Sequence, residues 1–393
     1  TQASSSAASD VYKRQVSITT DRQAGGIANA LVSYSDALTT KGHHHTIILP
    51  PSAIVVPTLE KMEMVNLIKI PTGLIKFHLF TRGFFSQHIR AALAEADVFF
   101  LHNSVLLQVL KPTEKPCFLV NHSGKTRHLN RADHIIFLTK IMRCRTMDKL
   151  PQLASRKDKL HVLPHGFSTK KPKKRAQNSK ALPKSVPIKL VSAGRFVKKK
   201  GFATLIEAAR ISQAAGITCQ IDIYGTGPLK PSLQNQIASS GLTSVTLKGW
   251  SDDLKSIFAD ADLFCSPSLD EPFGLVIGEA MAMGLPVIAS DTDGASELFG
   301  INTGSFDATL KHGGMIIPAG DTAALAAAIG RFCTDEKLRQ TAGRNARKRI
   351  ETSFSHTHLA DQLDQLISSV TPSPGVEPVS YTHLEPTRQL QIS

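Results

Sequence analysis

Short apolar runs alternate with longer amphipathic stretches along most of the chain. In the first half, these runs predict strands over 16–19, 46–49, 65–70, 97–101, 117–120, 134–138 and 161–163. Helical periodicity between them is clearest over 28–38 and over 73–94, and Gly42 is placed to end the first of these helices. Strands that alternate with helices in this way form a parallel sheet with right-handed crossovers.

The alternation stops at a polar segment and then begins again. Residues 171–187 are rich in Lys, Pro and Ser and contain few apolar residues, which predicts a basic linker. Beyond the linker, the pattern predicts strands over 188–193, 220–224, 245–248, 263–266, 286–289 and 314–317. The predicted fold class is therefore α/β, with two Rossmann-like, doubly wound domains over 16–170 and 188–357.

The two ends differ from the rest of the chain in composition. Residues 1–15 and 372–393 resemble translated sequencing-adapter sequence, and we expect them to be non-native. The first strand at Val16 would then be cut short. We assign no function to either end.

The charge of the chain is concentrated in its first half. The formal net charge is +14, and residues 1–185 hold 28 Lys and Arg against 11 Asp and Glu. This imbalance indicates an anionic partner, for which anionic lipid, an acidic acceptor and nucleic acid are alternatives. The simplest alternative is a basic surface that only contacts water.

Cysteine and histidine usage predicts a cytoplasmic protein without a metal site. The five cysteines are scattered and show no CxxC or Cys/His ligand spacing, which is typical of reduced thiols. The run His43, His44 and His45 could suggest a metal site, but no second cluster of ligands supports it. No apolar run approaches the roughly 18–20 residues that span a membrane.

Two glutamates flank a glycine-containing loop in the second half. Seven residues separate Glu271, in the loop after a predicted strand, from Glu279, in the first turns of the next helix. Between them, residues 273–276 bring backbone N–H groups to a helix N-terminus, where a diphosphate can bind. Carboxylates on each side can hold sugar or ribose hydroxyls, and loops at the carboxyl ends of strands are where open α/β sheets bind ligands.

The stretch 264–298 closely resembles the glutamate-x7-glutamate motif of retaining GT-B glycosyltransferases of the GT4 type. Other landmarks of that family follow in order across 16–370: a glycine loop at Gly25 and Gly26, a glycine-arginine…lysine-glycine element starting at Gly194, and a second glycine turn at Gly225. Each landmark is weak alone, but all of them in order are specific.

The resemblance implies roles for the charged residues. Arg195 and Lys200 would neutralise the donor diphosphate and stabilise it as a leaving group. Glu279 would hold the nucleotide ribose and Glu271 the hydroxyls of the donor sugar. His122 stands where relatives place a histidine that faces the donor sugar. Lys198–Lys200 is also a run of lysines, and such charges often only face water.

The remaining donor-binding assignments also come from the resemblance. Trp250 follows a strand in a loop that lies near the base in relatives. The other predicted donor contacts are Gly25, Gly26, Gly225, Phe273, Gly274, Leu275 and Val276. His165 replaces the usual asparagine in the family's proline-x-glycine element before the linker, which puts details of the hinge in doubt. Residues 358–370 are expected to form a terminal helix that returns to the first domain.

The implied activity is transfer of a sugar from a nucleoside-diphosphate sugar to a glycan or lipid-linked acceptor, with retention and without a metal or other cofactor. Bacterial lipopolysaccharide or other cell-surface polysaccharide synthesis is the expected setting. Two alternatives remain: a sugar-nucleotide epimerase of similar architecture, which would need acid/base carboxylates in the first domain, and a basic module that binds membrane or nucleic acid. Nucleic acid is not expected as a partner, because the Glu271 and Glu279 loop would then have no role.

Residues 73–94 combine many apolar residues with Lys76, Arg82 and Arg90. This composition predicts one long helix that either packs on the first sheet or docks on anionic lipid. The second alternative predicts reversible attachment to the cytoplasmic face of the plasma membrane.

Overall fold

The computed structural model describes residues 13–23, 25–109, 115–170, 187–301 and 312–371. The predicted linker over 171–187 therefore lies outside the described residues except at its last position, as does most of the adapter-like sequence at both ends. Within these ranges the chain forms two parallel sheets with helices packed between and around them.

The first sheet has seven strands in the order β3-β2-β1-β4-β5-β6-β7. They are β1 Arg14–Ile18, β2 His44–Leu49, β3 Val65–Lys69, β4 Val98–Leu101, β5 Cys117–Asn121, β6 His134–Phe137 and β7 Leu160–Val162. The helices are α1 Gly26–Thr40, α2 Val56–Leu59, α3 Thr72–Phe80, α4 Gln87–Glu95 and α5 Lys140–Lys149. Every residue of β4 and β5 is buried, as expected for strands covered on both faces.

The second sheet has six strands in the order β10-β9-β8-β11-β12-β13. They are β8 Ile188–Ala193, β9 Cys219–Tyr224, β10 Val245–Gly249, β11 Leu263–Ser266, β12 Val287–Ser290 and β13 Gly314–Ile317. The helices are α6 Phe202–Ala214, α7 Lys230–Ser239, α8 Leu254–Ala259, α9 Leu275–Ala282, α10 Asp293–Phe299, α11 Thr322–Thr334, α12 Glu336–Ser353 and α13 His356–Val370. The prediction of two doubly wound α/β units is confirmed.

Strand order reverses between β1 and β4 in the first sheet and between β8 and β11 in the second. At such a switch point the adjoining loops run in opposite directions and leave a crevice at the carboxyl ends of the strands. In the first sheet, Asn103 joins the two loops, because its side-chain oxygen accepts the backbone N–H of Thr20 at 2.8 Å.

The prediction of one helix over 73–94 was wrong. The segment forms α3 and α4, which are separated by a turn where Arg82 and Gly83 adopt φ values of 51° and 72°. A Cβ at Gly83 would lie 2.6 Å from the backbone nitrogen of Arg90, so the turn packs closely on the start of α4. The Ser86 side chain then accepts the N–H of Ile89 and caps α4.

Strand β1 starts at Arg14, two residues inside the adapter-like sequence. Gln15 in this strand is fully buried, and neither atom of its side-chain amide has a hydrogen-bond partner among the residues that the structure describes. A buried amide without partners is unfavourable, so this side chain fits its place in the sheet poorly.

The last helix lies against the first domain. α13 packs on α1, an ion pair joins Lys41 to Asp361 at 2.6 Å, and a hydrogen bond joins Nδ1 of His356 to the Asp36 carboxylate at 2.6 Å. Just before α13, Phe167 and Ser355 form a parallel bridge in which the Phe167 N–H donates to the carbonyl of Phe354 at 2.7 Å. The two chain segments between the domains are thereby held side by side.

Candidate active site

A cleft of about 710 Å³ lies between the carboxyl ends of the two sheets. Every residue that the sequence analysis assigned to the site lines it. From the first domain these are Gly25, Gly26 and His122. From the second they are Arg195, Lys200, Gly225, Trp250, Glu271, Phe273, Gly274, Leu275, Val276 and Glu279.

The N-terminus of α9 opens into this cleft. Gly274 is the N-cap residue with φ 82°, a left-handed conformation that residues with a side chain rarely adopt. No side chain caps the helix, and Leu275 and Val276 of its first turn line the cleft. The orphan N–H groups of this turn and the helix dipole favour an anion here.

Two cations from the loop after β8 line the same cleft as this helix end. Arg195 is exposed, and no ion pair or hydrogen bond to its side chain occurs within the described ranges. Lys200 instead forms an ion pair with Glu271, and the Ser268 hydroxyl also reaches that carboxylate at 3.4 Å. The sequence predicted both residues at the site but not that they would bind each other.

The second glutamate has a perturbed acidity. Burial raises the pKa of Glu279 to about 7, and the charge of Lys255 opposes that shift. Near neutral pH this carboxyl is therefore partly protonated before any ligand binds. Hydroxyl donors from a ligand would favour its charged form, which accepts stronger hydrogen bonds.

His122 belongs to a group of three histidines, of which His122 and His165 line the cleft. Its Nε2 atom is 3.0 Å from Nδ1 of His102, and its ring stacks against His165 with centroids 6.0 Å apart. Burial lowers the pKa of His165 to about 4 and that of His102 to about 3, and it lowers the pKa of His122 as well. All three rings are therefore neutral at physiological pH.

Trp250 lies at the mouth of the cleft. Its side chain is 58% exposed, and the indole N–H donates to the Asp252 carboxylate at 2.7 Å. The indole face is available for stacking on a flat ring, a geometry that suits a nucleotide base.

Several residues of the cleft were not predicted from the sequence. Gln23, Asn29 and Ser123 line it from the first domain, and Asp252 lines it from the second. His165 had been noted only as a departure at the hinge, yet it is buried in the cleft with its edge against Phe273. The signal that could have found it is its position in the loop that follows β7.

The histidine run does not form a ligand set. His43 binds Asp364 at 3.0 Å, and His45 is buried between the hydroxyls of Ser17 and Ser35. His44 is exposed. Across the described ranges, no group of three or more His, Cys, Asp or Glu side chains is placed to hold a metal ion.

Two doubly wound domains with a cleft between their switch points match the GT-B fold of solved glycosyltransferase structures. HepE from Anabaena, solved with UDP and glucose, matches with a TM-score of 0.71 and 19% identity, over 91% of this chain and all of that one. Sucrose-phosphate synthase from Thermosynechococcus elongatus matches with a TM-score of 0.70 and 23% identity, over 91% and 98%. At these identities the likeness shows the fold.

Sequence comparison points to the same class. Residues 173–349 match the family model for glycosyl transferases group 1. An amylovoran biosynthesis glycosyltransferase of Erwinia amylovora is 33% identical over 46% of this chain and 45% of its own length. A lipopolysaccharide core biosynthesis glycosyltransferase of Rhizobium meliloti is 30% identical over 48% and 51%. The chain thus matches about half the length of these relatives.

Proposed function

We propose that the protein is a glycosyltransferase that moves a sugar from a nucleoside-diphosphate sugar to a glycan or lipid-linked acceptor. One observation carries the proposal: Arg195, Lys200, the α9 N-terminus and the carboxylates of Glu271 and Glu279 all line one cleft. The cations and N–H groups suit a diphosphate, and the carboxylates suit the hydroxyls of the sugar and ribose on either side.

The same arrangement accounts for catalysis. As the bond between the anomeric carbon and the phosphate oxygen breaks, its electron pair goes to the departing diphosphate. Fixed cations beside that oxygen lower the barrier, because they bind the charge more strongly as it develops. Arg195 and Lys200 supply this charge from the protein, so we propose that the reaction needs no metal or other cofactor.

Retention of configuration is the proposed stereochemical outcome. An inverting displacement needs a general base opposite the leaving group. The described cleft residues of the first domain include Gln23, Asn29, His122 and His165 but no carboxylate, and both histidines have lowered pKa values. The departing diphosphate is then the base that takes the proton of the acceptor hydroxyl on the same face. The same lack of carboxylates argues against the epimerase.

The proposed setting is bacterial cell-surface polysaccharide synthesis. The names of the relatives support it, since they include amylovoran, lipopolysaccharide core and capsular polysaccharide biosynthesis glycosyltransferases. The donor is a nucleotide sugar, the acceptor is a glycan or a lipid-linked glycan, and nucleic acid is not a partner. We propose a cytoplasmic location on the inner face of the plasma membrane.

A surface for reversible membrane contact is part of the proposal. Phe77, Phe84 and Phe85 are 46%, 69% and 66% exposed, with ring centroids 5.5 Å apart for Phe77 and Phe85 and 5.1 Å for Phe84 and Phe85. We call these three residues the aromatic patch. It lies at α3 and the following turn among basic residues, a combination that suits an anionic bilayer surface. No helix in the described ranges is long and apolar enough to cross a bilayer.

The test is a thermal-shift screen of UDP-, GDP-, ADP- and TDP-sugars, followed by product analysis with the stabilising donor. A ligand that binds the native state raises the melting temperature. Release of nucleoside diphosphate with a retained anomer supports the proposal. An epimerised sugar nucleotide would establish the epimerase instead, and an absence of both binding and turnover would leave the basic binding module.

A further inference from the structure

The three stacked histidines contain a hydrogen bond that has a chemical consequence for the cleft. His102 follows β4, His122 follows β5, and His165 follows β7, so three strand ends bring them together. The rings of His102 and His122 stack with centroids 5.3 Å apart and planes inclined by 22°, and the bond between them measures 3.0 Å. We call His102, His122 and His165 the histidine column.

The histidine column contains buried ring nitrogens that form no hydrogen bond with the described residues. Nε2 of His102 and Nδ1 of His122 are buried and have no hydrogen-bond partner within the described residues. Both ring nitrogens of His165 are also buried and have no hydrogen-bond partner among the described residues. Buried polar atoms normally have partners, and unpaired ones at a cleft indicate that a ligand or water completes them.

A neutral imidazole carries one proton, so the hydrogen bond allows two arrangements. In the first, Nδ1–H of His102 donates to Nε2 of His122, and the proton of His122 must then lie on Nδ1. In the second, Nε2–H of His122 donates to Nδ1 of His102, and Nδ1 of His122 becomes an acceptor. The two arrangements therefore present opposite hydrogen-bonding groups at Nδ1 of His122.

The surroundings of His102 favour the first arrangement. Its ring lies edge-on to Tyr34 at 5.9 Å, and the buried hydroxyl of Tyr34 also has no partner among the described residues. Each arrangement leaves one buried N–H without a partner among the described residues. In the second arrangement it lies on Nε2 of His102, which does not line the cleft, whereas in the first it lies on Nδ1 of His122, which does line the cleft and can donate to a ligand oxygen or water there. An orphaned buried N–H is rarer in proteins than an under-satisfied acceptor, so the proton is better placed on Nδ1.

We propose that His102 is a positioning residue: its Nδ1–H holds His122 as the Nδ1–H tautomer, so that His122 presents a hydrogen-bond donor to a hydroxyl of the donor sugar. The identity of the ligand rests on the proposed function, whereas the tautomer rests on the hydrogen bond and on which of the two rings lines the cleft. His102 does not line the cleft, and it acts through His122.

The chain contains a matched control for this pair. Nδ1 of His134 lies 3.0 Å from Nε2 of His161, and their rings stack with centroids 5.3 Å apart and planes inclined by 23°. The geometry equals that of His102 and His122, but His134 begins β6 at the opposite end of the sheet from the cleft. Loss of its hydrogen bond should therefore affect folding stability without affecting turnover.

The experiment combines nuclear magnetic resonance with kinetics. Long-range proton–nitrogen spectra of the protein with ¹⁵N-labelled histidine rings report which nitrogen carries the proton. We expect both His102 and His122 to be protonated at Nδ1 in the wild type. Protonation of both at Nε2 would overturn the proposal, whether or not the protein is a glycosyltransferase.

The kinetic arm uses His102→Leu, His102→Asn and His134→Leu. His102→Leu should lower kcat/KM about threefold to tenfold, as expected for loss of one hydrogen bond, and shift His122 towards the Nε2–H tautomer. His102→Asn places an amide N–H close to the original Nδ1 and should recover most of the loss, while His134→Leu should match the wild type. Equal kcat/KM for His102→Leu and His134→Leu would overturn the positioning role even if donor turnover itself is established.

Discussion

The Lys200 ammonium is paired with the Glu271 carboxylate inside the cleft, and the two side chains are only 17% and 15% exposed. The pair links the loop after β8 to the loop after β11 across the switch point of the second sheet. A diphosphate that enters the cleft would share this cation with Glu271. Arg195, which is exposed at the same edge, would supply the second charge.

We expect Arg195→Ala and Lys200→Ala each to lower kcat at least about tenfold, because loss of one charge-stabilising donor costs roughly 2.7–4 kcal/mol in a transition state. Lys200→Ala should also lower the melting temperature, since it leaves Glu271 without its cation, whereas Arg195→Ala should not. Lys198→Ala, in the same lysine run but outside the cleft lining, is the control. Wild-type rates in both cleft variants would contradict the diphosphate site.

Donor binding should depend on the ionisation of Glu279. Its pKa is raised to about 7 in the free protein, and ribose hydroxyls would stabilise the carboxylate, so its pKa falls in the complex. Donor affinity is therefore full above pH 7 and falls as the pH drops below it, by up to about tenfold per unit, with release of a proton on binding. Calorimetry in buffers of different ionisation enthalpy measures both effects.

Glu279→Gln should weaken donor binding and remove its dependence on pH between 5 and 8, and Glu279→Ala should lose roughly 1.5–3 kcal/mol of donor affinity. Glu207→Gln, on the exposed face of α6, serves as the control. A pH dependence that persists in Glu279→Gln would assign it to another group.

Binding of the protein to lipid vesicles should depend on the aromatic patch. Phe84→Ser with Phe85→Ser should reduce co-sedimentation with anionic liposomes at least about tenfold, because burial of an aromatic side chain in lipid contributes roughly 1.5–3 kcal/mol. High salt should weaken binding of the wild type by screening the basic residues. Ile54→Ser, at another exposed apolar residue, is the control. Equal recovery on anionic and neutral vesicles would favour a soluble acceptor.

Turnover should be complete in EDTA. In this proposal Arg195, Lys200 and the α9 N-terminus supply the positive charge that stabilises the departing diphosphate. The reaction therefore needs no metal ion for that purpose. The measurement is the rate of nucleoside diphosphate release after dialysis against chelator. Loss of activity that Mg²⁺ or Mn²⁺ restores would show that the protein's own cations are insufficient.

Gln15→Leu should stabilise the first domain. The Gln15 amide is buried without a partner in the described part of the chain, and such a group costs about 1–3 kcal/mol. The melting temperature of the first domain should rise by roughly 2–4 °C per kcal/mol recovered. Gln152→Leu, at an exposed position, should leave it unchanged. A decrease in Gln15→Leu would indicate that the amide is satisfied in solution.

The sequence by itself predicted the fold class and the residues that line the cleft. Apolar runs and glycine turns are local signals, and parallel strands put all the loops that follow them at one edge of the sheet. Residues as distant as Gly25, His122, Arg195 and Glu279 therefore line a single cleft, although no pattern in the sequence measures the distance between them.

Only the tertiary structure decided where one predicted helix breaks, which cleft residues contact each other and how acidic one of them is. The break at Arg82 and Gly83, which replaced one helix by two, depends on close packing against the start of α4. The pairing of Lys200 with Glu271 and the stacking of His102 on His122 join residues from different loops, and the raised pKa of Glu279 reflects the burial of its carboxyl group. Residue type and spacing do not encode these properties, because they arise only when distant segments exclude water together.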